Sequence, residues 1–134
     1  HKGKKRKIRS GINTGKSQKL WKIIKSAFKI IEEETDENPV QVLVTALENS
    51  SPKEEVVTYQ RGGILARKAV IASPQRRIDL AVRNLVHGAY SNRLAEKKDA
   101  DESLAEEIIA AYENGECLAV RERKRREKEA QGAR

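Results

Sequence analysis

The sequence has few of the residues on which secreted domains and membrane proteins depend. Its 134 residues include one cysteine and no methionine, and aromatic side chains make up 4% of the chain. A single cysteine, Cys117, excludes an internal disulfide and fits a reducing compartment. No apolar run approaches the length of about 20 residues that a membrane span needs, and no signal-peptide pattern is present. We therefore expect no membrane partner.

The sequence also lacks a recognisable catalytic or metal-binding set. His87 lies within an apolar helical stripe, with no nucleophile or orienting carboxylate placed beside it. Cys117 has no second cysteine or histidine at ligand spacing, so we interpret it as a small core residue. Gly62-Gly63 lacks the Lys-Ser/Thr of a phosphate loop, and the acidic runs lack calcium-loop spacing. We predict a binding protein, not an enzyme, with no cofactor and no small-molecule substrate.

Charge is what the chain has in abundance. Charged residues make up 36% of the sequence, and the net charge of +8 indicates a polyanionic partner. The charges are segregated along the chain. Residues 1–29, 56–98 and 117–134 are basic, whereas 30–55 and 99–116 are acidic. We expect the basic blocks to converge on one ligand, and the acidic blocks to face solvent or basic neighbours.

The composition divides the chain into an arm, a domain and a tail. Residues 1–17 combine cations with glycine and few apolar side chains, which predicts a flexible basic arm that orders on a partner. A solvated tail and a nuclear-import signal are the alternatives. Residues 18–130 predict one helical domain, and 121–134 a charged helix that leaves the core and frays. The chain begins at His1 without a methionine, which fits either an engineered fragment or the ordered part of something longer.

Apolar residues at helical spacing predict the helices of the domain. The strongest covers 18–34, where a row of lysines follows the apolar stripe as either a solvated or a phosphate-facing surface. Asn38-Pro39 and Ser73-Pro74 are helix starts, and Gln41 is placed to complete a capping box. Further helices run to about Asn92 and from about Asp101. The predicted buried positions are Leu20, Ile23, Ile24, Ala27, Phe28 and Ile31, then Val40, Leu43, Val44 and Leu47, then Ile78, Ala81, Val82, Leu85, Val86 and Ala89, and finally Leu104, Ile108, Ile109 and Tyr112.

Between these helices, residues 55–72 predict a β-hairpin. Gly62-Gly63 suits a two-residue type I′ or II′ turn, which would pair Arg61 with Ile64 and Thr58 with Arg67. Both faces then mix apolar and cationic residues toward the tip, unlike a hairpin packed flat on a core. We expect an apolar base and a projecting tip. The base residues are Val56, Val57, Ala69, Val70 and Ile71. The fold class is therefore mainly α, about five helices with a protruding two-stranded hairpin.

In their order, these segments resemble the family of ribosomal protein seven of the small subunit, in its archaeal or eukaryotic form. The most specific pieces are NPVQVLVTALEN and the pairing of RGG with SPQRR, and the resemblance covers about residues 16–130. The family has a further helix upstream. Its bacterial form has a different terminal region, so we transfer no tail contacts. The resemblance implies a helical domain with one long hairpin.

The resemblance also implies a function. It implies binding to the 3′ major domain of small-subunit rRNA and nucleation of head assembly, in the cytoplasm on the ribosome. The hairpin would approach exit-site tRNA and mRNA, and neighbouring proteins of the head and platform would be partners. The rival interpretation is a helical protein–protein adaptor whose basic arms serve localisation. The candidate RNA-binding residues are Lys4, Lys5, Arg6, Lys7, Arg9, Lys16, Lys19, Lys22, Arg61, Gly62, Gly63, Arg67, Lys68, Arg76, Arg77 and Arg83.

Overall fold

The computed structural model describes residues 15–134 and confirms the predicted fold class. Five helices and one antiparallel two-stranded sheet make up the described chain, and none of these helices is long and apolar enough to cross a membrane. The basic residues 1–14 lie outside the described residues. In chain order the elements are α1 (Ser17–Thr35), α2 (Pro39–Ser50), β1 (Glu54–Arg61), β2 (Ile64–Ile71), α3 (Pro74–Glu96), α4 (Ala100–Tyr112) and α5 (Leu118–Gly132).

Both predicted helix starts are confirmed by their caps. The Asn38 side chain accepts a hydrogen bond of 3.0 Å from the Val40 N–H, and Ser73 accepts one of 3.3 Å from the Arg76 N–H. These bonds satisfy donors that a helix start leaves without a partner. The capping box is wrong, because the Gln41 amide points forward and donates to the Thr45 hydroxyl at 3.5 Å.

Helix α4 is the centre of the helical body, packing against α1, α2 and α3. Its buried side includes Ser103, Ala105 and Ala111, and such small side chains let neighbouring helices approach closely. We expected the acidic residues of this segment to face solvent or basic neighbours. The expectation holds for Glu102 and Glu106, which are exposed, but it is wrong for Glu107, which is buried.

Glu107 lies against α3 at a close helix crossing. Its carboxylate accepts a hydrogen bond from the Asn92 amide, and burial raises the pKa of the Glu107 carboxyl. Gly88 on α3 makes room for it. A Cβ atom at Gly88 would overlap the Glu107 carboxylate and lie 3.3 Å from the Leu118 Cβ. The absence of a side chain at residue 88 therefore allows α3 and α4 to approach each other this closely.

The predicted buried faces of α2 and α3 are partly wrong. On α2 the fully buried apolar residues are Val42 and Ala46, whereas Val40 and Val44 are exposed. Each helix carries apolar residues around more than one face, so spacing alone does not select the side that meets α4. Other predicted core residues on α1 and α3 are also exposed. They are Leu20, Ile24, Ile78, Val82 and Val86.

The prediction that the charged tail frays is wrong. Helix α5 packs along β1, and Ala130 near its end is fully buried. The backbone N–H of Lys53 donates to the Glu127 carboxylate at 3.2 Å. The tail stays on the body because its charges meet complementary groups at the start of the hairpin.

We predict that Gly88→Ala lowers the free energy of unfolding by about 1–3 kcal/mol, because the added methyl group must displace the buried Glu107 carboxylate. Urea denaturation followed by far-UV circular dichroism measures the change. Gly132→Ala is the matched control, since a Cβ there meets nothing within 4 Å. We expect the control to be neutral or stabilising by up to about 1 kcal/mol. Equal losses in both variants would contradict the close-crossing argument.

Candidate nucleic-acid interface

The hairpin has the register that its sequence predicts. Arg61 pairs with Ile64 and Thr58 pairs with Arg67, as expected. Gly62 and Gly63 have φ values of 57° and 85°, and positive φ at both central positions is the type I′ turn. This turn matches the twist of the two strands, so the local sequence determines how the tip closes.

The outer half of the hairpin is exposed on both faces. Arg61 and Lys68 lie on one face of the ribbon, and Arg67 lies on the other. All three side chains are exposed, and so are Ile64 and Leu65, each at 72%. Eight residues per strand give a hairpin about 26 Å long at about 3.3 Å per residue. From here on, the arm means this projecting hairpin, not the basic residues 1–17. The tip can therefore contact a ligand that surrounds it.

Side-chain ion pairs, as well as apolar packing, hold the hairpin base. The Arg76 Nε lies 3.1 and 3.2 Å from the two Glu55 carboxylate oxygens, and the Arg126 Nη1 lies 3.6 Å from one of them. Arg134 binds Glu54 and holds the pKa of that carboxyl below its ordinary value. The predicted apolar base is only partly correct, because Val56, Ala69 and Val70 are half-buried, whereas Val57 and Ile71 are exposed.

The three candidate arginines of α3 have different surroundings. Arg76 is exposed but bound to Glu55, which leaves its outer nitrogens available. Arg77 is half-buried, and within the described residues its buried Nε has no hydrogen-bond partner. Arg83 is exposed at the rim of an apolar groove between α1 and α3. Arg76 and Arg83 are seven residues apart and lie on one helix face, whereas Arg77 points about 100° away.

The lysines of α1 form an exposed row. Lys16 precedes the helix, and Lys19 and Lys22 follow on its surface. Lys25 lies over Trp21, with Nζ 5.3 Å from the ring centroid, and Trp21 itself is 59% exposed. Gly15 and Arg83 line the same groove, so the start of α1 and the middle of α3 lie close together. The candidate residues Lys4, Lys5, Arg6, Lys7 and Arg9 lie outside the described residues.

Helix α5 presents a basic surface. We expected its segment, 117–134, to be one of the basic blocks that converge on a ligand, but we named none of its residues as RNA-binding candidates. Arg121, Lys124, Arg125 and Lys128 are exposed, and their spacing of three or four residues places them on one face. Arg125 pairs with Glu122 and Glu129 along the helix and lowers the pKa of the Glu122 carboxyl. The spacing of these four cations is visible in the sequence. Because we expected the tail to fray, we did not predict that they form a surface of the folded protein.

The arrangement defines a class of protein. A helical body presents cations on an arm that is exposed on both faces and on two helices beside it, which is typical of proteins that bind folded RNA through phosphates. In residues 15–134 no group of three or more His, Cys, Asp or Glu side chains is placed to hold a metal. The family model described as ribosomal protein S7p/S5e matches residues 4–134, and the chain therefore belongs to this family.

Curated relatives agree with the family match. The chain is 45% identical over 135 residues to small ribosomal subunit protein uS7 of Nanoarchaeum equitans, covering 100% of this chain and 68% of that protein. It is 44% identical over 128 residues to uS7 of Archaeoglobus fulgidus, covering 95% and 66%. With uS7 of Halobacterium salinarum the identity is 43% over 130 residues, covering 96% and 62%. The chain thus spans 62–68% of the length of these relatives.

We predict that Gly63→Val disorders the outer hairpin, because a β-branched residue at a φ of 85° adds about 1–2 kcal/mol of backbone strain. Hydrogen exchange of the amides from Val57 to Lys68 measures the loss of protection. Gly62→Asn is the control, since asparagine followed by glycine is a preferred type I′ pair, and we expect its amides to stay protected. Retained protection in Gly63→Val would contradict the assigned turn.

Proposed function

We propose that this chain is a structural, non-enzymatic component of the small ribosomal subunit and binds ribosomal RNA in the cytoplasm. Membership of the family supports the ribosomal role. The observation that carries the RNA-binding part is the exposure of Arg61 and Lys68 on one face of the hairpin and Arg67 on the other. Cations on both sides of a thin arm fit a ligand that encloses the arm, such as a junction of several RNA helices.

The proposed mechanism is recognition of RNA shape through phosphate contacts. Arginine and lysine bind phosphate oxygens whatever the base sequence, and guanidinium groups can do so with two parallel hydrogen bonds. Broad base stacking does not fit a chain with 4% aromatic residues. Exposed Trp21 and Tyr59 are each placed to stack on a base. The hairpin would enter the RNA, while α1 and α3 contact the backbone around its entry.

We further propose the 3′ major domain of small-subunit rRNA as the target, with a role in nucleating assembly of the head. The support is the resemblance of the hairpin and of the Ser73–Arg77 segment to the family. On the same basis, the hairpin tip points toward exit-site tRNA and mRNA. Exposed acids at the end of α1, Glu32, Glu33 and Glu34, fit basic neighbouring proteins of the head and platform.

We predict that replacing Arg61, Arg67 and Lys68 together by glutamine weakens binding to a fragment of the 3′ major domain. Affinity falls as salt rises, and each lost phosphate contact should make the plot of log affinity against log salt less steep by about one unit. Filter binding between 50 and 300 mM KCl, about the range over which such contacts are screened, measures the slope. Unchanged circular dichroism would show that the helical body is intact.

The matched control replaces three exposed lysines that are not candidate residues, Lys29, Lys53 and Lys97, and removes the same charge. We expect a smaller loss from this control than from the hairpin variant. Equal losses would mean that affinity follows net charge alone, which would overturn the assignment of the hairpin. Unchanged affinity of the hairpin variant for the rRNA fragment would favour the rival role as a protein–protein adaptor.

A further inference from the structure

We infer that Glu55 is a positioning residue, which sets the direction of the hairpin by joining β1 to α3 and α5 at once. Its side chain is 14% exposed, and both carboxylate oxygens lie within 3.2 Å of the Arg76 Nε. Arg126 approaches the same carboxylate from α5, with Nη1 at 3.6 Å. One anionic group therefore ties the start of the arm to two helices of the body.

The arm has few other contacts that can set its direction. From Thr58 to Leu65 every residue is exposed, so no residue of this outer half is buried against the helical body. Two further side chains contact the base, Glu127 from α5 and Arg134 from the residues just after it, and neither belongs to α3. The Glu55–Arg76 pair is thus the side-chain ion pair, in the described part of the chain, that links the hairpin to α3.

The same pair orients Arg76 for a ligand. A carboxylate bound at Nε holds the guanidinium plane in place while its outer nitrogens remain exposed, and the Arg76 side chain is 45% exposed. Arg76 also lies next to the hairpin base on the face that carries Arg83. Holding these groups in advance lowers the entropy lost when RNA binds. The inference deepens the proposed function and depends on it for its purpose, but the geometry concerns the chain alone.

Glu55→Gln separates positioning from simple electrostatics. The substitution removes one negative charge, so charge alone predicts tighter binding to any polyanion. Loss of positioning predicts weaker binding to a folded RNA that needs the arm in one direction. We expect the ratio of affinity for the folded 3′ major domain fragment to affinity for unstructured poly(U) to fall about fivefold, the effect of one ion pair.

The direction of the arm can be measured without RNA. Spin labels on cysteines replacing Gln60 at the hairpin and Glu102 on α4, in a Cys117→Ala background, report the distance between the arm and the body by pulsed electron paramagnetic resonance. We expect Glu55→Gln to broaden this distance distribution. Glu33→Gln, an exposed carboxylate on α1 with the same charge change, should leave it narrow. If Glu55→Gln fails to fold, Arg76→Gln and Arg126→Gln remove each half of the bridge separately.

The outcomes distinguish the positioning role of Glu55 from the proposed RNA-binding function. Distributions as narrow in Glu55→Gln, Arg76→Gln and Arg126→Gln as in the original chain would overturn the positioning role. A broadened distribution with an unchanged affinity ratio would show that the bridge does not serve RNA binding, which also overturns the inference as stated. Failure of the original chain to prefer the folded fragment over poly(U), with the distance effect present, would instead overturn the proposed function.

Discussion

The direction of the hairpin depends on ion pairs at its base, because no residue from Thr58 to Leu65 is buried against the helical body. Glu55 meets Arg76 from α3 and Arg126 from α5, and these helices must be held in place for the pairs to form. Helix α4 supports α3 through their close crossing at Gly88, and α3 in turn packs against α5. The direction of the arm therefore depends on the Glu55 carboxylate, and the positions of its arginine partners depend on the packing of the helical body.

The ion pairs change the meaning of the net charge. A formal charge of +8 counts every cation as available, yet Arg126 and Arg134 are bound to carboxylates of the hairpin base. Two of the acids in the acidic segment 30–55 are used inside the molecule in the same way. Most of the other exposed cations lie on the arm, along α1, on α3 and on the outer face of α5. Segregation along the sequence thus serves the fold as well as ligand binding.

Several features that depend only on residues close in sequence were predicted correctly. The turn at Gly62-Gly63 and the strand register follow from backbone sterics and from the two-residue loop, and the caps at Asn38 and Ser73 follow from single hydrogen bonds. The exposed side of α2, the burial of Glu107 and the docking of α5 depend on which partner each helix meets. Sequence periodicity does not contain that information when apolar or charged residues surround a helix. The residues of the candidate interface were readable from charge, but the pairing of Arg76 with Glu55 was not.

A two-stranded arm of this kind needs its charges before it meets a ligand. Both strands are edge strands with unpaired backbone groups along their outer sides, and such edges pair readily with other chains. Ile64 and Leu65, each 72% exposed at the tip, would add apolar attraction to that tendency. Arg61, Arg67 and Lys68 place positive charge on both faces, so two copies of the arm repel each other. The same three side chains that are proposed to bind RNA phosphates therefore also keep the free arm from pairing with a second copy of itself.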